Sequence, residues 1–492
     1  MNNYDEYELN EEDWLAAEET AKPLTESLPK IVAEFQEDAA KVSHKNEIPA
    51  AMSFFTILGQ ICKDFVTVPI GRNREDSRIH FCWIQTSGTG KSTLWNFVGP
   101  VAKRTFERIN NIGTHPPLTS PVDSHVMPRK FDIFGVTDYT DSVLLGTFNE
   151  EIDSDSGEKS YERIPGLLEG SGLAHWDEFE YSGIFKQSQH KENSIVYLNT
   201  LMNTLAGESW VISKALTKFS GEIMQCYSER SVLAMTYPPN NLTSVIAEKG
   251  VLQRMVMYIV DVPDNIQHSM RLEQLSKVGT IEEVNQPIDK YVNALTEIYS
   301  MLKEHHEEMG GDSTKTIRFA DGFNANLILE YKNMRAELSK CRKEVAELAS
   351  NFTTRLMVNL TKMSILVCIA RSLNIKDKDA RFLVTGQHVR EAALVMRKCY
   401  ISLVSWLEQS LKVRKASIAE KSLEPQFMSI YKEMKKDEEG YVHKSKYLQA
   451  TIEKANKSKS QIYRHFKSIE HKFDEKTHGK YRYIRLIGDD VE

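Results

Sequence analysis

The residues best equipped for chemistry in this chain of 492 residues are Ser87-Gly88-Thr89-Gly90-Lys91-Ser92-Thr93. They follow the apolar run Ile79–Ile84 and open a helical pattern, the setting in which a glycine loop cradles phosphate. Glycines let successive backbone N–H groups turn toward phosphate oxygens, and the helix N-terminus adds its own partial positive charge. In such a loop Lys91 reaches the β- and γ-phosphates and Ser92 holds Mg²⁺, while Ser87, Gly88, Thr89, Gly90 and Thr93 line the nucleotide. The first glycine of the strict GxxxxGK[ST] pattern is Gln85 here, and the second half, GxGK[ST], is intact. ATP or GTP, with ATP taken forward, and Mg²⁺ are the expected ligands.

A second element supplies carboxylates. Gly172–Trp176 reads as a short apolar strand that ends in Asp177 and Glu178, 86 residues after Lys91. In ATPases of this kind the strand beside the phosphate loop ends in an Asp of the Mg²⁺ shell. That gives Asp177 the metal and Glu178 the attacking water. Thr236, at the end of the strand-like run Ser231–Thr236 and before the turn Tyr237-Pro238-Pro239, is placed to orient that water. Arg254 follows Gly250-Val251-Leu252-Gln253 and precedes the apolar run Met255–Val260. An arginine held at a strand edge can enter a neighbouring subunit's phosphate site as a finger. Arg355, at the start of the apolar helix Leu356–Ala370, is read first as a structural helix charge and second as a lid residue facing nucleotide.

These groups need a scaffold. Strand-like runs alternating with helical stretches predict an α/β core with a largely parallel sheet. Residues 1–28 read as an acidic arm, and 29–78 as a helical lead-in. The P-loop ATPase core spans 79–286, with an acidic insertion at Asn149–Glu162. Long amphipathic stretches over 287–411 (Phe323–Ala349 and Thr353–Leu373 among them) predict an α-helical domain. Residues 412–424 read as a linker, and 425–488 as a compact terminal module. The chain carries 41% hydrophobic and 27% charged residues, within the ordinary globular range. The longest apolar runs fall short of the roughly 20 residues of a membrane span, so no membrane partner is expected. The first 22 residues hold eight acids and one Lys, unlike a secretory signal. Six scattered cysteines without a CxxC pair suit a reducing interior. The expected location is the cytoplasm of a host cell.

Together the loop Gln85–Thr93, Val136-Thr137-Asp138-Tyr139-Thr140-Asp141, Trp176-Asp177-Glu178, Thr236-Tyr237-Pro238 and Gly250–Arg254 carry a resemblance. Over roughly residues 28–400 the chain resembles the helicase-like ATPase domain of phage, plasmid and archaeal mobile-element replication proteins of the primase-helicase type. The resemblance implies a RecA- or AAA+-like motor, with Walker A and Walker B elements, that works as a ring, hexameric in the simplest case, on single-stranded DNA. It also implies a DNA-facing hairpin between the Asp177 and Thr236 strands. Val211–Lys214 and Gly221–Met224 would be its arms, with Lys214 and Lys218 near the tip for phosphate contact. No primase or zinc module is visible, so priming is not carried over.

The net charge is −7, yet between His443 and Gly488 twelve Lys or Arg stand against four Asp or Glu. Helical patterns at Pro425–Lys435, Lys444–Lys454 and Ser458–Ile469 precede a hairpin of Phe473–Glu475 and Lys480–Ile487 around the turn Lys476–Gly479. That order is a helix-turn-helix with a wing. Lys459, Arg464 and Lys467 would face a duplex, with Lys480 and Arg482 on its backbone. The expected function is an ATP-dependent DNA helicase or translocase acting in replication. The alternative is an ATP-switched initiator or transcriptional regulator that binds DNA without motor activity. A packaging or transposition ATPase is a third class.

Overall fold

The computed structural model describes residues 28–43, 46–71, 73–112, 130–136, 140–152, 159–182, 185, 193–204, 210–216, 222–239, 242, 245–246, 250–260, 262, 264–276, 287–378, 380–421, 424–455, 459–479 and 481–487. The acidic arm and the centre of the acidic insertion lie outside them. The chain divides into two compact units, Met1–Glu408 and Gln409–Glu492.

Five parallel strands form the centre of the first unit. Their order across the sheet is Met255–Val260, His80–Gln85, Glu222–Thr236, Gly170–Trp176, Phe131–Val136. His80–Gln85 is buried along its whole length, as a strand covered on both faces of a parallel sheet must be. One expectation is corrected here. The strand ending before Asp177 does not lie beside the glycine-loop strand. Glu222–Thr236 separates them, pairing Ile84 with Thr236 on one side and Trp176 with Ala234 on the other. Sequence distance carries no information on that order, because parallel strands need long crossovers in any case.

Trp210–Leu216 pairs antiparallel with the first half of Glu222–Thr236, so a hairpin stands where one was expected. Lys214 opposes Met224 in it. The tip, 217–221 with Lys218, lies outside the described residues, as does the side chain of Lys214. The arms of the acidic insertion are also paired strands, Gly146–Ile152 and Lys159–Pro165. In the lead-in, the polar stretch before Ile79 is a second hairpin, Thr67–Ile70 with Asn73–Asp76. Its Asn-Arg-Glu-Asp strand has no apolar alternation to announce it.

The helical lead-in, the sheet and the helical region all belong to the first unit, and aromatic packing joins them. Phe35 of helix Lys30–Val42 lies against Phe54, Phe97 and Tyr291, with ring centroids 5.2, 5.0 and 4.9 Å away. These come from helices Glu47–Cys62, Lys91–Ile112 and Ile288–Glu308. A buried ion pair adds a fixed register. Lys362, from helix Lys343–Arg371, meets Glu75 at 2.8 Å and the Thr204 hydroxyl at 2.6 Å. Breaking such a pair strands a buried charge, at a cost of about 3–5 kcal/mol.

The long helices differ from expectation in where they break. Helix Phe323–Ser339 ends and Lys343–Arg371 begins at Arg342. The Arg342 backbone N–H and guanidinium both donate to Glu408, and this holds the chain in extended geometry at that point. Lys343–Asn374 is long and apolar enough to cross a membrane by length and composition, contrary to the sequence estimate, but 72% of its apolar window is buried within the protein.

Helix Gly386–Lys421 runs through most of the stretch read as a linker. Beyond it the second unit has helices Glu424–Glu433, Lys444–Ala455 and Lys459–Ile469 and a three-stranded sheet. Its core gathers Phe427, Tyr431, Tyr447, Ile462, Phe466, Phe473 and Ile484. The expected turn Lys476–Gly479 is corrected. Phe473–His478 pairs with Tyr481–Leu486 up to His478 opposite Tyr481, leaving a two-residue connection in which Gly479 takes φ +60°. Tight hairpins need that left-handed conformation, and glycine adopts it without strain. A short strand, Val442–His443, is the third member.

Candidate active site

Ser87, Gly88, Gly90, Lys91, Ser92, Thr93, Asp177, Glu178, Glu180, Thr236 and Tyr237 line one cleft of about 280 Å³. It lies at the carboxyl ends of the parallel strands, where ligands of open α/β sheets bind. The glycine loop, the two acids and the threonine are therefore brought together as their sequence pattern predicts.

The loop turns through Gly88 at φ +75° and Gly90 at φ +86°. A Cβ at Gly90 would come within 2.7 Å of the Ser43 hydroxyl oxygen, so space as well as conformation requires glycine there. Helix Lys91–Ile112 starts at the loop with no acid in its first turn, leaving its N-terminal N–H groups and their dipole available to an anion. Lys91 Nζ donates to the carbonyls of Gln85 and Thr86 at 2.6 and 3.0 Å. Burial lowers its pKa, against the opposing pull of Asp177 and Glu180. Thr89 differs from expectation. It is fully buried, its hydroxyl donates to the Thr86 carbonyl at 2.6 Å, and it does not line the cleft.

Gln85 explains its own departure from the glycine pattern. Its side-chain oxygen accepts from Trp83 Nε1 at 2.7 Å, and its amide nitrogen donates to Asn46 Oδ1 at 3.2 Å and to the Thr89 carbonyl at 3.3 Å. Asn46 Nδ2 also donates to Thr89, and the Ser43 hydroxyl donates to the Gly90 carbonyl at 2.8 Å. The loop is pinned from outside rather than by its own compactness. Ser43 and Asn46 were not marked by any sequence signal, since they lie more than 40 residues upstream.

At the acid end, Asp177 is half-buried and Glu178 exposed. The Glu178 N–H donates to Asp177 Oδ1 at 3.1 Å. Glu178 has φ +54°, left-handed for a residue with a side chain, a strain that recurs at functional sites. His175, which interrupts the apolar strand, stacks on Trp95 with centroids 3.5 Å apart, and burial lowers its pKa to about 4. Glu180 is the residue sequence reasoning missed. It is 6% exposed and hydrogen-bonded to Thr236. Burial raises its pKa, with Glu178 adding to the rise and Thr236 and Lys91 opposing it.

Arg254 lies elsewhere. Met255 pairs with His80 and Val260 with Gln85, so Arg254 stands at the opposite end of the edge strand from the loop, roughly 20 Å away at ~3.3 Å per residue. Its guanidinium donates to Asn199 Oδ1 at 2.8 Å and to the Gly250 carbonyl at 3.0 Å, and its buried Nε has no partner among the described residues. Arg355 faces the same region, 3.8 Å from Glu75, and both arginines line a second cavity with Arg78 and Lys362. That placement suits a structural helix charge and not a lid over its own chain's loop.

In the second unit, Lys459 and Lys467 are exposed on helix Lys459–Ile469. Tyr463, 47% exposed, stands between them at helical spacing, and Lys459 Nζ lies 5.8 Å from its ring centroid. Arg482 is exposed and 3.4 Å from Glu475. Lys480 and the side chain of Arg464 lie outside the described residues. Part of the basic excess is neutralised internally, since Lys444 binds Glu470 and Glu475, and Lys476 binds Asp437 and Glu439. Among the described residues no cluster of His, Cys, Asp and Glu is arranged to hold a metal by itself. Mg²⁺ bound through a hydroxyl, one carboxylate and substrate phosphates needs no such cluster. No protein-family model and no curated protein matches the sequence.

Proposed function

We propose that this chain is an Mg²⁺-dependent ATPase that moves on DNA, a helicase or translocase working as a ring of copies in the replication of a virus or mobile element. The observation that carries the reading is the meeting of Lys91 and Ser92 with Asp177, Glu178, Glu180 and Thr236 in one cleft at the end of a parallel sheet. The loop N–H groups and Lys91 hold the β- and γ-phosphates, and Ser92 and Asp177 hold the metal. Mg²⁺ supplies charge neutralisation of the phosphates when bound. Glu178, by its place after the metal carboxylate, and Glu180, by its burial against Thr236, are the carboxylates able to take a proton from water.

Charge supports the ring. Among the described residues Lys91 is the only cation lining the cleft, against three acids, and the transferring phosphoryl group needs more positive charge than that. Arg254, roughly 20 Å from its own loop, is suited to reach the site of a neighbouring copy. The five-stranded sheet supports a RecA- or AAA+-like core, and the helix, helix, helix, hairpin order supports a winged helix. Single-stranded DNA would pass the hairpin carrying Lys214 and Lys218. Duplex would meet Lys459, Arg464, Lys467, Lys480 and Arg482.

The test is a forked-duplex unwinding assay on the full chain with ATP and Mg²⁺, alongside phosphate release with and without single-stranded DNA. Stimulated hydrolysis and strand displacement, both lost in Lys91→Ala, are expected. A wild-type chain that protects one duplex site yet shows neither would be an ATP-switched regulator instead.

A further inference from the structure

The carboxylate strand ends at Trp176; Asp177 and Glu178 follow, and one 3₁₀ turn, Phe179–Tyr181, carries Glu180. The left-handed Glu178 at the head of that turn leaves its own side chain exposed, whereas Glu180 is buried and still lines the cleft.

Glu180 and Thr236 form a reciprocal pair. The Glu180 backbone N–H donates to Thr236 Oγ1 at 3.2 Å, and the Thr236 hydroxyl donates to Glu180 Oε2. The Tyr237 carbonyl, 3.1 Å from the same hydroxyl, is the more distant acceptor. A hydroxyl has one proton and two lone pairs. With its proton on Glu180 and one lone pair taken by the Glu180 N–H, Thr236 keeps a single acceptor position. A phosphate oxygen, itself an acceptor, cannot use that position, but water can. The second Glu180 oxygen, Oε1, is buried without a hydrogen-bond partner among the described residues. A buried acceptor left without a donor is costly, and because Glu180 lines the cleft a donor can be supplied to it from the ligand's side once the site is occupied.

We infer that Glu180 and Thr236 together hold the attacking water of a nucleoside triphosphate, and that Glu180, in place of Glu178, takes its proton. The inference rests on the nucleotide reading of the cleft. Water donating one O–H to Thr236 Oγ1 and the other to Glu180 Oε1 directs a lone pair away from both, toward the γ-phosphorus. The bond from water oxygen to phosphorus forms, and the bond from phosphorus to the β-bridging oxygen breaks, its electron pair leaving with the nucleoside diphosphate. The proton moves to Glu180 Oε1 and passes from there to the released phosphate. Burial also makes Glu180 a stronger base than an exposed glutamate, which suits a group that must accept a proton near neutral pH.

The experiment compares Glu180→Gln and Glu178→Gln in the full chain with ATP, Mg²⁺ and single-stranded DNA, measuring nucleotide affinity and turnover separately. Glu180→Gln keeps an oxygen for the Thr236 hydroxyl. It should bind ATP nearly as the wild type does while losing on the order of 10²- to 10⁴-fold in turnover, the usual share of a general base. Glu178→Gln should lose less. A larger loss in Glu178→Gln than in Glu180→Gln, or none in Glu180→Gln, overturns the assignment. Should Glu180→Gln fail to fold, Thr236→Ser and Thr236→Val decide. Ser near the wild-type rate with Val reduced at least roughly tenfold supports the pair, and equal rates overturn it. Lys91→Ala is the control for the parent reading. If it binds and hydrolyses ATP as the wild type does, the nucleotide site itself is wrong. If it is inactive while Glu180→Gln is fully active, only the assignment to Glu180 fails.

Discussion

Asn46 donates a hydrogen bond of 3.0 Å to the carbonyl of Thr89, tying the glycine loop to the residue that precedes helix Glu47–Cys62, 43 residues upstream. The same Asn accepts from Gln85 at 3.2 Å. A loop that lacks the usual first glycine is thus held by two side-chain amides, one on its own strand and one on the lead-in.

The clamp predicts a cost for restoring the common pattern. Gln85→Gly should weaken ATP binding and lower the unfolding midpoint, because Trp83 Nε1 and Asn46 Oδ1 lose their partner and each buried unpaired group costs about 1–3 kcal/mol. Asn46→Ala should act in the same direction. Titration of ATP by calorimetry with a parallel thermal melt checks both. Binding by Gln85→Gly as tight as in the wild type would mean that the side chain only fills space.

Arg254 should matter for turnover and not for affinity. It stands at the far end of its own sheet from the loop, so a role in hydrolysis requires a second copy. Arg254→Ala should keep nucleotide binding and lose on the order of 10³- to 10⁵-fold in rate, the usual contribution of an arginine finger. Mixing it with Lys91→Ala should recover some activity, since one intact interface can form from two defective chains. Turnover that does not depend on protein concentration, with a mixture that stays inactive, would leave Arg254 as the structural partner of Asn199 and Gly250.

The second unit should carry duplex affinity. Removing residues 425–492 should leave basal ATP hydrolysis intact and weaken duplex binding, with a flatter salt dependence. Each phosphate contact adds about −0.9 to the log–log slope, so Lys459→Ala with Lys467→Ala should flatten it by about 1.8. An unchanged slope in a filter-binding series from low to moderate salt would show that these exposed lysines do not meet DNA.

Buried histidines should set the acid limit of stability. His80 Nδ1 accepts from the Val232 N–H at 3.0 Å while Nε2 faces the Met202 carbonyl at 2.9 Å, an arrangement that requires the neutral ring. Burial lowers its pKa to about 3, aided by the charges of Arg78 and Lys362, and burial lowers His388 to about 4. Unfolded histidine titrates near 6.5. Between these values the unfolded chain binds protons that the folded chain refuses, so stability is full above pH 6.5 and falls as pH drops toward 4. The slope is up to about 1.4 kcal/mol per pH unit for each histidine. Urea midpoints should be level above pH 7 and decline below 6.5, and more shallowly in His80→Gln. Identical declines in the two proteins would remove His80 from the account.

What was legible in the sequence was local. Gly88 and Gly90 could be read as turn positions because both take a positive φ that glycine adopts without strain. The strands at His80 and Met255 could be read because burial leaves a largely apolar run, and that at Gly170 from its shorter apolar stretch before two acids. The three terminal helices and their hairpin could be read from apolar periodicity. The strand Asn73–Asp76, all polar, gave no such signal. The helix break at Arg342 depends on Glu408, 66 residues away. Strand order, the position of Thr236 between the loop and Asp177, and the clamp of Ser43, Asn46 and Gln85 were decided only by tertiary structure. So was the choice of Glu180 as the buried acid. Each of these is a contact between segments far apart in the chain, and local spacing constrains only neighbours that share a helix turn, a strand face or a loop.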